Sequence, residues 1–162
     1  MLKPLIPKKL AVGPSYQWGG LSLNDLKKEG ITVIVDLNQD LAEMNEAKKI
    51  GLMYLVDPKL NIKDNSQPIT LDVLEYVTMT IHRLISQGHY VYLHCSASRG
   101  RSPTIAAAYL IRLGKNKNEA ISQVKTVRPN AWSGSNENFA AFLDEFEKKY
   151  RGEFSIESQV FT

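Results

Sequence analysis

The sequence is poor in cysteine: among 162 residues there is one, Cys95. A single thiol forms no internal disulfide and builds no cysteine-rich zinc site, so disulfide-stapled secreted scaffolds and zinc fingers are excluded together. Long hydrophobic runs are missing too. The longest, Ile105 to Ile111, is seven residues, against the ~20 that a membrane-crossing helix needs. The opening segment MLKPLIPKKLAVG is broken by Pro4, Pro7, Lys8 and Lys9 before a secretory apolar core can develop. The expectation is a chain with no membrane span, working in a reducing cytoplasm. Charge of one sign is also scarce: 20 Lys and Arg face 17 Asp and Glu, a net +3, too little to indicate nucleic acid as a partner. The charge is unevenly spread, with ten basic and five acidic residues from 96 to 151 against four and eight from 36 to 75. A basic C-terminal half suits an anionic ligand, although a solvated face explains such an imbalance equally well.

What is present is an ordinary globular composition, 43% hydrophobic and 23% charged, in a chain long enough to bury a core without staples. Strand and helix signals alternate, which predicts an α/β fold: a single domain with a central, mostly parallel sheet flanked by helices. Leu10 to Val12 reads as a short edge strand. Ser22 reads as the N-cap of a helix running to Lys28 and stopped by Gly30. Ile31 to Asp36 and Leu52 to Val56 read as strands covered on both faces, with a helix from Leu41 to Ile50 between them. Asp57 to Pro68 is a long connection, of the kind that often carries function. A helix over Ile69 to Gln87 shows apolar positions at Leu71, Leu74, Val77, Ile81, Leu84 and Ile85 on one face. A strand from Tyr90 to His94 leads into the polar turn SASRGR and the helix-forming SPTIAAAYLIRLG. Helices over Lys117 to Val127 and Asn136 to Tyr150 complete a domain spanning 1–151, and 152–162 reads as a tail.

The chemistry concentrates in HCSASRGRSPT, residues 94–104. A short loop curling between a strand end and a helix start turns successive backbone N–H groups inward and makes an anion-binding concavity. Ser96, Ala97, Ser98, Arg99, Gly100 and Arg101 would line it around a phosphate. Arg101 adds a planar fork that binds two phosphate oxygens at once, which lysine cannot copy. Cysteines at a helix N-terminus beside arginine ionise below the ~8.5 of a free thiol, so the pattern predicts a thiolate in line with phosphorus. Ser102 is placed to donate a hydrogen bond to that sulfur when it leaves, and His94 to fix the loop. A lone cysteine is usually a small buried hydrophobe. His before it, Arg six residues later and Ser or Thr next meet by chance about once in 10⁴, which favours the chemical reading.

These residues, with Ala108-Tyr109-Leu110 following, resemble the signature of the dual-specificity branch of the protein tyrosine phosphatases. The resemblance extends through the GITVIVDL strand and the VRPNAWSGSNENFAAFLDEFE segment. It implies a metal-free and cofactor-free phosphomonoesterase acting through a cysteinyl-phosphate, with phosphorylated proteins as substrates. It also implies a general acid on a loop, for which Asp64, followed by Pro68 and a helix, is the candidate. Asp57 is the competitor and Asp36 the third choice; an ordinary turn or cap role is open to each. The family usually carries Gly where this chain has Ser98. Since Gly tolerates positive φ, Ser98 is expected to disturb the loop and lower activity, with Gly100 supplying some of the lost freedom. Arg99 is expected to be solvated rather than bound to a second anion. Trp132 and Asn136 are expected to pack beneath the loop. Trp18 is assigned to packing, and His82 and His89 make no metal site. The alternatives are a phosphoinositide or RNA 5′-phosphate phosphatase, and a catalytically silent phosphate-binding module.

Overall fold

The computed structural model describes residues 1–62 and 69–155. Four strands, β1 (Leu10–Gly13), β2 (Val33–Asp36), β3 (Met53–Tyr54) and β4 (Val91–His94), form one sheet in the order β1-β4-β2-β3. Every pairing is parallel, so the expected mostly parallel sheet is wholly so among the described strands. Register places Gly13, His94 and Asp36 level with one another at the C-terminal edge. In parallel sheets that edge is where ligands bind.

Alternation along the central strands separates two cores. Leu10, Val12, Val33, Val35, Val91 and Leu93 face α3 (Leu71–Ser86), α4 (Arg101–Arg112), α5 (Lys117–Val127) and α6 (Leu143–Tyr150), while Ala11, Ile34 and Tyr92 face α1 (Leu23–Lys28) and α2 (Leu41–Lys49). The sheet is covered on both faces, which is why VIVD and VYLH are buried at every position. Helix α4 is the axis of the larger layer: all twelve of its residues are buried. Three alanines and small side chains at its start let it approach the sheet and its neighbours closely.

The caps follow the sequence. Ser22 accepts from Asp25 N, Thr70 from Val73 N, and Asn116 and Glu119 form a reciprocal capping box at α5. Three expectations are corrected. Leu52–Val56 is not a buried strand; only Met53–Tyr54 pairs, at the sheet edge, with Met53 and Val56 exposed. An edge strand has one partner, so its apolar run is cut short by solvent on the other side. Residues 136–150 are not one helix: a 3₁₀ segment over Gly134–Phe142 precedes α6. Strand β2 starts at Val33 rather than Ile31. Past α6 the chain folds back, with Gly152 N donating to Ile111 O and Phe154 N to Arg112 O, and Phe154 stacked on His82 at 4.0 Å.

Candidate active site

Strand β4 ends at His94, helix α4 begins at Arg101, and residues 95–100 form the arc between them. The carbonyls along this arc are held from outside. Cys95 O takes His94 Nδ1 at 2.7 Å, Ser96 O takes Ser15 N at 2.9 Å, Arg99 O takes Trp132 N at 2.6 Å, and Gly100 O takes Thr104 N at 3.0 Å. Arg128 supplies the remaining two, Nη2 to Ala97 O at 3.0 Å and Nε to Ser98 O at 3.4 Å. In a trans peptide the N–H points opposite to the preceding C=O. Six outward carbonyls therefore turn the amides of residues 96–101 toward the centre. The amides of Ser96 to Gly100 donate to no acceptor among the described residues, which leaves a cradle of donors at a helix N-terminus, the arrangement that binds a phosphate.

Cys95 lies at the start of this arc, buried, with Sγ 3.3 Å from Ser102 Oγ. Ser102 Oγ is in turn 2.9 Å from Ser98 Oγ. Ser98 adopts φ 59°, the left-handed conformation that glycine tolerates best, so the loop keeps that geometry with a serine in place. Gly100 does not share the burden, contrary to expectation, since its φ is −135°. It is glycine for space: a Cβ there would meet Asn136 Oδ1 at 2.8 Å and Phe139 Cδ2 at 2.9 Å. Trp132 is buried against the loop and donates Nε1–H to Thr104 Oγ1 at 3.0 Å. Trp132 and Asn136 thus pack against the loop as expected.

Arg101 is buried at the start of α4. Its Nη1 donates to Asn38 Oδ1 at 2.6 Å and to Ile62 O at 2.8 Å, and Nη2 reaches Ser96 Oγ at 3.3 Å. Asn38 also donates Nδ2–H to Ser96 Oγ at 3.1 Å. The loop after β2 thereby aims the guanidinium. Arg99 is exposed.

His94 bonds through both nitrogens, Nδ1 to Cys95 O and Nε2 to Glu43 Oε2 at 2.6 Å. Glu43 is buried on α2. Burial opposes charge on His94, but the Glu43 carboxylate, with Asp36 behind it, outweighs burial and pushes its pKa up to about 9. Burial pushes Glu43 up as well, countered by its bond to His94. One proton is thus held tightly between them, directly behind the cysteine. Asp36, Glu43 and His94 also form a compact trio of metal-ligating types, yet each histidine nitrogen already has a hydrogen-bond partner.

Asp64 lies outside the described residues. Its competitors are occupied elsewhere. Asp57 caps a 3₁₀ turn, accepting from Lys59 N at 3.0 Å and from Tyr76 OH. Asp36 is fully buried and accepts from Asn38 N, Asp40 N and Tyr54 OH. Sequence reasoning missed Asn38, Glu43 and Arg128. The one available signal was in α2, where Glu43 shares a helix face with Ala47 and Ile50, an acidic residue where an apolar one belongs; it is 2% exposed.

The comparisons agree with this geometry. A human protein, "Phosphatidylglycerophosphatase and protein-tyrosine phosphatase 1", is 29% identical over 129 residues, covering 72% of this chain and 63% of that protein. The yeast "Tyrosine-protein phosphatase CDC14" of Saccharomyces cerevisiae is 25% identical over 118 residues, 72% of this chain and 21% of its own length. The chain thus spans less than two thirds of either relative. The crystal structure of human DUSP28 superposes with a TM-score of 0.69 at 24% identity, over 91% of this chain and 93% of that one. Residues 16–149 match the model of the dual specificity phosphatase catalytic domain, and the chain belongs to that family.

Proposed function

We propose that this protein is a cysteine-dependent phosphatase hydrolysing phosphomonoesters, with phosphotyrosine and phosphoserine or phosphothreonine in proteins as its substrates. The observation that carries the reading is the inward turn of the loop amides around Cys95, with all six carbonyls held from outside. Cys95 Sγ attacks phosphorus in line with the leaving oxygen. Inward amides and the Arg101 fork hold the equatorial oxygens, where charge is concentrated in the transition state. Asp64 gives its proton to the departing oxygen. The S–P bond formed is then cleaved by water, whose proton passes to the same carboxylate, while the bonding pair returns to Sγ and phosphate leaves. Ser102 steadies that sulfur by donating O–H to it. His94, tied to Cys95 O, fixes the loop from behind.

Ile62 O accepts from Arg101, and Asp64 takes the acid role on the resemblance, which places an aspartate ahead of a proline and a helix there. No helix among the described residues is long and apolar enough to cross a membrane; a reducing cytoplasm is the compartment in which a lone catalytic thiol stays reduced. A second reading, a phosphorylated lipid headgroup as substrate, is favoured by the human relative, which is named as a phosphatidylglycerophosphatase.

Turnover of a small aryl phosphate tests the enzyme reading. Cys95→Ser is expected to lose about 10³-fold or more in kcat while still binding tungstate. Comparable turnover by wild type and variant would overturn it. A panel of phosphopeptides and phosphorylated lipids in vesicles then separates the two substrate readings.

A further inference from the structure

Ser98 is buried, stands at φ 59° and points its hydroxyl at Ser102. We propose that Ser98 is a positioning residue for phosphoenzyme breakdown, acting through Ser102 on the sulfur of Cys95. The proposal rests on the cysteinyl-phosphate reading above and adds a residue to it.

The direction of the chain follows from counting protons. When water cleaves the phosphocysteine, the S–P bond breaks, its electron pair stays on Sγ, and the water proton goes to the carboxylate. The resulting thiolate carries no proton, so across the 3.3 Å contact Ser102 must be the donor. A hydroxyl has one proton. With it spent on Sγ, the 2.9 Å contact between Ser102 and Ser98 can be made only by Ser98 donating. Two hydroxyls therefore point in series at the sulfur, and the second polarises the first, strengthening its bond to the developing charge. Both are buried, Ser98 at 1% and Ser102 at 0% exposure, where water does not substitute for the lost donor. A glycine would suit φ 59° better; the serine accepts that backbone cost and contributes a hydrogen bond glycine cannot make. Ser98 thus raises turnover, whereas its backbone alone predicts lower activity.

The test compares Ser98→Gly and Ser98→Ala, which both remove the hydroxyl but have opposite effects on the backbone: Gly relieves the left-handed strain and Ala keeps it. Pre-steady-state kinetics with an aryl phosphate read each step. Both variants are expected to lower kcat by about threefold, leave kcat/KM within twofold, and show a larger burst of phenolate as phosphoenzyme accumulates. In a Ser102→Ala background, Ser98→Gly is expected to have no further effect on kcat. The proposal is overturned if Ser98→Gly matches or exceeds wild-type kcat. It is equally overturned if only the Ala variant slows, if kcat and kcat/KM fall together, or if the Gly effect persists without Ser102. The Cys95→Ser control separates the two claims: turnover surviving there would remove the covalent reading, while Ser98 results with a dead Cys95→Ser bear on Ser98 alone.

Discussion

Cys95 and Arg101 stand six positions apart at the two ends of one arc, and each depends on residues far away in sequence. Arg101 is aimed by Asn38 and by the carbonyl of Ile62, and Cys95 is backed, through its neighbour His94, by Glu43. The acid is the remaining role, and the partners of the aspartates narrow it. Asp57 already accepts from Tyr76 and a backbone N–H, and Asp36 from two amides and Tyr54. Asp64→Asn is therefore expected to slow hydrolysis of phenyl phosphate by about 10²-fold and leave dinitrophenyl phosphate nearly unchanged, since only the poorer leaving group needs a proton in the transition state. Asp57→Asn is expected to affect both esters alike. Steady-state rates over a series of aryl phosphates check this, and a leaving-group dependence at Asp57 would move the assignment there.

The loop keeps its shape because β4, α4, α5 and the 3₁₀ segment over Gly134–Phe142 clamp it from different sides. That segment presses Asn136 and Phe139 against Gly100, so Gly100→Ala forces the arc to shift. Its expected outcome is at least a tenfold loss of kcat/KM, with a stability cost on the order of 1–3 kcal/mol measured by urea unfolding; normal kinetics would show that the arc yields without moving the amides. Elements with a sustained period were legible in the sequence: α5 is found over Lys117–Val127 as expected, and α3 differs only at its ends. Elements decided by neighbours were not. Met53–Tyr54 shares the apolar look of β2, and only its place at the sheet edge shortens it. The motif was likewise legible, because its residues are contiguous. Asn38, Glu43 and Arg128 were not, since their roles exist only once β2, α2 and the end of α5 converge on residues 95–101.

Over the whole molecule, the loop of residues 95–100 rests on a buried ion pair that ties α2 to β4, and this couples folding to pH. His94 is raised to about 9 from the ordinary value near 6.5. Below pH 6.5 the histidine is protonated folded and unfolded, so the pair contributes its full stability. Between those values the folded protein holds a proton that the unfolded chain releases, and stability falls as pH climbs through 9. The expected loss is on the order of 3 kcal/mol, roughly 6–12 °C in Tm for a domain of this size. Thermal melts from pH 6 to 9.5 check it, and Glu43→Gln is expected to flatten the slope whatever it does to Tm itself. The same pair secures the carbonyl of Cys95, so fold stability and site geometry share one support. The central claim, that phosphate passes through sulfur, is tested most directly by rapid acid quench of wild-type enzyme turning over an aryl phosphate, followed by intact-mass and peptide-mass measurement. The expected species is one phosphoryl group heavier, with that group on Cys95 and absent from Cys95→Ser; an enzyme that turns over steadily without ever carrying it would contradict passage through sulfur.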